Sequence, residues 1–117
     1  MAGLSTHVLD TAQGGPAAGV RIELFEIVDG ERRSVCETVT NDEGRTDTPL
    51  LNGDQMRSGV FEIMFHVGAY FASQSAAAPQ PGFLDQVPVR FTIADPSQHY
   101  HVPLLASPWS YTAYRGS

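Results

Sequence analysis

Lysine is absent from this sequence of 117 residues, and cysteine occurs once. The single Cys36 excludes an intrachain disulfide and fits a reducing compartment. All seven basic residues are arginines, and thirteen acidic residues set the net charge at −6. The arginines form no basic stripe, so a nucleic-acid partner is not expected. No apolar run approaches the ~18–20 residues that span a bilayer, so no membrane partner is expected either. The N-terminus lacks the basic segment and apolar core of a signal peptide, and the expected location is the cytoplasm. What is present suits a globular protein, with 42% hydrophobic and 17% charged residues. A chain of this length buries roughly two-thirds of its unfolded surface, and residues 1–117 read as a single domain.

The apolar pattern has the two-residue period of strands. Leu4–Asp10 alternates, with Leu4, Thr6 and Val8 on one face and Ser5, His7 and Leu9 on the other. Gly14-Gly15-Pro16 interrupts it. Val20–Glu26 and Ser34–Thr40 flank Asp29-Gly30, a hairpin signal. Asn41-Asp42-Glu43-Gly44 reads as a second turn that delivers Arg45. Gly59–Val67 is a strand with Phe61, Ile63 and Phe65 opposing Glu62, Met64 and His66. Ala69–Ala77 is the one short helix, stopped by Ala78-Pro79-Gln80-Pro81-Gly82. Val87–Ile93 returns to the strand pattern, and its internal Pro88 points to an edge or a bulge. Two runs close the chain, His99–Ala106 and Tyr111–Ser117, joined by a turn at Ser107-Pro108. Seven or eight short strands and one short helix predict an all-β, antiparallel two-sheet sandwich.

The chemistry concentrates at the two ends of the chain. His99 and His101 share one face of a strand, with Pro103 and Leu105 beside them and Tyr100 on the other face. Clustered imidazoles are costly to bury without partners. Taken alone, His7 reads as a solvated strand histidine, Arg45 as an exposed arginine and Tyr114 as a sheet aromatic. His99 and His101 with His7 could also form a three-histidine zinc site. The sequence has no G-x-S-x-G elbow and no Gly-rich phosphate loop. Cys36, inside a strand, reads as a small core residue, and His66 as a surface residue.

The final block, His99–Ser117, resembles the C-terminus of the 5-hydroxyisourate hydrolases, the enzymatic relatives of transthyretin, whose chains end in YRGS. Leu4–Asp10, Asn41–Arg45 and Phe91–Pro96 also resemble blocks of that family, in the same order. Ala113 and Ala106 stand where Thr and Leu are usual, and neither change removes a reactive group.

The resemblance implies a transthyretin-like sandwich that hydrolyses 5-hydroxyisourate to 2-oxo-4-hydroxy-4-carboxy-5-ureidoimidazoline in urate degradation. It implies no cofactor, no metal and no covalent intermediate. His7, Arg45 and His101 match the catalytic residues of the family. Tyr114, with Ser117 as a second-tier candidate, falls beside the substrate together with His7 and Arg45. His99 matches a less certain neighbour. An arginine near two histidines favours their neutral forms, as a general base requires. The family assembles as a homotetramer, a dimer of dimers. The alternative is a transthyretin-like carrier of a small aromatic ligand, with no catalysis.

Overall fold

In the computed structural model, residues 2–74 and 81–117 are described. They form a sandwich of two four-stranded sheets. The strands are β1 (Gly3–Asp10), β2 (Gly15–Pro16), β3 (Arg21–Val28), β4 (Glu31–Val39), β5 (Gly59–Phe65), β6 (Val87–Ile93), β7 (His99–Ala106) and β8 (Tyr111–Ala113). One helix, α1 (Val67–Gln74), follows β5. One sheet has the order β2-β1-β7-β8 and the other β4-β3-β5-β6.

The alternation read from the sequence decides which side of each strand is dry. Leu4, Val8, Val102 and Leu104 from the first sheet meet Ile22, Leu24, Phe61 and Ile63 from the second, all buried. The Asp29-Gly30 hairpin is tight: Asp29 has φ 54° and Gly30 φ 79°, the positive-φ pair a two-residue turn requires. Pro88 lies in β6, an edge strand, where its missing N–H costs no ladder bond.

Several details differ from the expectation. β1 and β7 pair in parallel, with Ser5 opposite His101 and His7 opposite Pro103; parallel neighbours need a long crossover, and the whole second sheet supplies it. The strand expected to reach Val67 ends at Phe65, because Val67 is buried as the first residue of α1. The expected helix residues 75–77 and the start of the breaker, 78–80, lie outside the described residues. The last strand is short, and beyond it the tail keeps only an isolated bridge, His101 to Gly116.

His66 is not the surface residue expected. Its side chain is 12% exposed, and Nε2 lies 2.7 Å from Oε1 of Glu23. The outer face of β5 is itself covered: Glu62 is buried, bonded to Arg32 Nε at 2.5 Å and near Arg90 Nε at 3.6 Å. Arginine stems lying over neighbouring strands close a face that alternation alone leaves open.

Candidate active site

The outer face of the β1–β7 pair carries Ser5, His7, His99 and His101, as strand periodicity requires. Arg45 arrives from a different part of the chain. Oδ1 of Asn41 accepts from the backbone N–H groups of Glu43 (2.9 Å) and Arg45 (3.2 Å), fixing the turn. Gly44 then crosses β1 at close range. It has φ +75°, and a β-carbon there would collide with the Val8 carbonyl oxygen. Its own carbonyl accepts from Val8 N–H at 2.8 Å. This contact lets Arg45 form an antiparallel bridge with His7.

The hydrogen bonds constrain the imidazoles. His7 Nε2 lies 2.8 Å from the Glu43 carbonyl oxygen. A carbonyl only accepts, so His7 carries a proton on Nε2, leaving Nδ1 to face other partners. His101 Nδ1 is 2.8 Å from Ser5 Oγ, and that same oxygen is 3.1 Å from His99 Nε2. Burial pushes the His101 imidazole below the ordinary histidine value, and the charges of Arg45, His7 and His99 add to the effect. His101 is therefore neutral at neutral pH. Among the described residues, no carboxylate forms an ion pair with Arg45.

The structure thus brings His7, Arg45, His99 and His101 together. Ser5 and Thr6 with Arg45–Pro49 line an adjoining depression of about 150 Å³. The tail runs alongside: Gly116 N–H donates to the His101 carbonyl at 2.7 Å, placing Ser117 next to that strand. Tyr114, 53% exposed, lines a separate and larger cleft of about 330 Å³ with Val89, Phe91, Tyr100 and Ala113. That cleft contains none of His7, Arg45 or His101. Arg115 turns away and stacks over the Tyr100 ring at 4.1 Å. Cys36 is half-buried on β4, its thiol raised by burial, which leaves it unreactive.

Sequence reasoning missed Ser5 and Asn41. The signal for Ser5 was available, since it shares the His7 face of the first strand. Among the described residues, no group of three or more His, Cys, Asp or Glu side chains is placed to hold a metal ion.

A base held neutral, an unpaired guanidinium and a second imidazole of fixed tautomer are the parts needed to add water to a carbonyl group. Residues 4–116 match the model of the HIUase/Transthyretin family. A 5-hydroxyisourate hydrolase of Deinococcus radiodurans is 55% identical over 115 residues, covering 98% of this chain and 96% of that protein. Among solved structures, (S)-allantoin synthase superposes with a TM-score of 0.90 at 45% identity. The match covers 99% of this chain and 44% of that one, so this chain spans less than half its length. Transthyretin from Sparus aurata superposes with a TM-score of 0.87 at 27% identity, covering 99% of this chain and 97% of that one.

Proposed function

This chain belongs to the HIUase/transthyretin family, and we infer from that premise that it is an enzyme hydrolysing 5-hydroxyisourate. The observation that carries the reading is the convergence of His7, Arg45 and His101 on the outer face of one sheet. A carrier has no use for a neutral base beside an unpaired guanidinium. The hydrolase relative is also far closer in sequence than the transthyretin of like fold.

In the proposed mechanism the substrate's lactam carbonyl lies against Arg45, whose planar fork grips adjacent carbonyl oxygens. His101, neutral, takes a proton from water through Nε2 as the oxygen attacks the carbonyl carbon. Arg45 stabilises the oxyanion that forms. The tetrahedral species collapses with breakage of the ring C–N bond, and the imidazolium returns its proton to the departing nitrogen. His7, tied to the Glu43 carbonyl through Nε2, orients the water or substrate with Nδ1. Ser117, next to His101 through the Gly116 bond, is assigned to the rim of the site, whereas Tyr114 lines the separate cleft beside Tyr100 and Phe91. The product is 2-oxo-4-hydroxy-4-carboxy-5-ureidoimidazoline, which sets the reaction within urate degradation.

A homotetramer belongs to the same proposal. The depression beside Arg45 is about 150 Å³, well under the ~300 Å³ at which ligand pockets begin, so a facing sheet is needed to enclose the substrate. The edges of β6 and β8 carry no further strand among the described residues and offer a route for sheets to extend between copies.

The test follows the ultraviolet transient of 5-hydroxyisourate made from urate by urate oxidase. The protein should collapse it faster than spontaneous decay, with or without EDTA, and Arg45→Ala and His101→Ala should not. A wild type that tracks spontaneous decay while binding aromatic ligands would replace the hydrolase with the carrier.

A further inference from the structure

The two bonds to Ser5 Oγ have a consequence for His101 that neither histidine shows alone. A serine hydroxyl has one proton to give. It lies 2.8 Å from His101 Nδ1 and 3.1 Å from His99 Nε2, so it can donate to only one of the two rings, and the other ring must then bring its own N–H to the bond. The hydroxyl direction therefore ties the tautomer of one imidazole to that of the other.

We propose that Ser5 is a positioning residue for the hydrolysis, holding His101 in the tautomer with a free Nε2 lone pair, and that His99 sets the direction of the Ser5 hydroxyl. This rests on the hydrolase reading given above. In the working arrangement His101 Nδ1–H donates to Ser5 Oγ, and Ser5 O–H donates to the bare Nε2 of His99. His101 Nε2 then faces the substrate side as an acceptor. Serine thus does for His101 what a buried carboxylate does for a catalytic histidine elsewhere, fixing tautomer and ring plane, but without adding charge.

The experiment compares wild type, Ser5→Ala, Ser5→Thr, His99→Ala and the double variant Ser5→Ala/His99→Ala. Two readouts are used, kcat against pH and the ¹⁵N resonances of the His101 ring. Ser5→Ala should lower kcat by about 10–100-fold, a part of the ~10²–10⁴ that general-base catalysis contributes, with KM moving less. Ser5→Thr, which keeps the hydroxyl, should restore most of it. His99→Ala should lower kcat by less than Ser5→Ala, because the Ser5 oxygen remains to accept from His101 Nδ1–H. The double variant should be no worse than Ser5→Ala, since coupled residues are not additive. His99→Ala should shift the His101 ring resonances when Ser5 is present and leave them unmoved when it is Ala. Ser5→Ala with wild-type kcat and pH profile, or additive losses in the double variant, would overturn the proposal. A wild type inert toward 5-hydroxyisourate would overturn the hydrolase reading instead, and the ring resonances would still decide the coupling.

Discussion

A β-carbon placed on Gly116 would lie 2.9 Å from Cδ2 of His101 and 3.1 Å from Cγ of Pro103. The glycine of the YRGS tail is thus in van der Waals contact with the proposed base, while its N–H donates to the backbone of the same histidine at 2.7 Å. Gly116→Ala is expected to fold, because the tail can lift from the sheet edge. It should nevertheless displace the His101 ring or the tail, and a misplacement near 1 Å costs up to about 100-fold in rate. Steady-state kinetics should show the loss in kcat, with circular dichroism and melting temperature near wild type.

Arg45 separates charge from geometry. Lysine retains the charge and loses the planar fork that matches adjacent carbonyl oxygens. Arg45→Lys should keep a small part of the activity and Arg45→Ala should keep less. Both should retain stability within about 0.5 kcal/mol, as expected for an exposed side chain. Equal activity of the lysine variant and the wild type would remove the bidentate grip from the mechanism.

The faces of β1 and β7, the Asp29-Gly30 hairpin and the edge placement of Pro88 were all legible in the sequence, because each follows from a two-residue period or from the φ preference of one residue. Two features were not. Parallel pairing of β1 with β7 is a long-range choice that local alternation does not encode, and it is this register that puts Ser5 opposite His101. His66 was misplaced because Glu62 and Met64 mark a polar-looking face, whereas ion pairs from Arg32 and Arg90 to Glu62 cover it. At the site, the shared face of His99 and His101 followed from alternation, whereas the roles proposed for His7, Arg45 and His101 rest on family resemblance. The hydrogen bond from His7 to the Glu43 carbonyl, and with it the tautomer, is a contact between segments 36 residues apart that no local pattern encodes.

His101 should titrate below the ordinary histidine value of about 6.5, since burial first, and then Arg45, His7 and His99, disfavour its charged form. Removing Arg45 takes away a like charge, so in Arg45→Ala the midpoint should rise toward, without reaching, that value. NMR titration of the His101 Cε1–H signal measures both. The sign also holds for folding: a depressed histidine contributes stability present above its unfolded pKa and lost as pH falls through the folded one. An unchanged midpoint in Arg45→Ala would remove Arg45 from the causes and leave burial with the neighbouring histidines.

Tyr70 ties α1 to the end of β1, its hydroxyl donating to Asp10 Oδ2 at 2.8 Å in the interior. The other oxygen of Asp10 accepts from the N–H groups of Ala12 and Gln13 at 2.9 and 3.0 Å. Tyr70→Phe leaves one buried carboxylate oxygen without this partner, at a cost of about 1–3 kcal/mol. Asp10 is on the buried side of β1, opposite to His7, so activity per folded molecule should not change. Burial, and then the Asp10 carboxylate, push the Tyr70 phenol up to about 12. A phenol in the unfolded chain ionises near 10. The stability that Tyr70 supplies is therefore intact below about pH 10 and declines as pH rises toward the folded value. Urea unfolding at fixed protein concentration, repeated from pH 8 to 11, should show wild type and Tyr70→Phe converging over the upper part of that range. Parallel curves across the whole range would mean that the phenol is not held neutral by its surroundings.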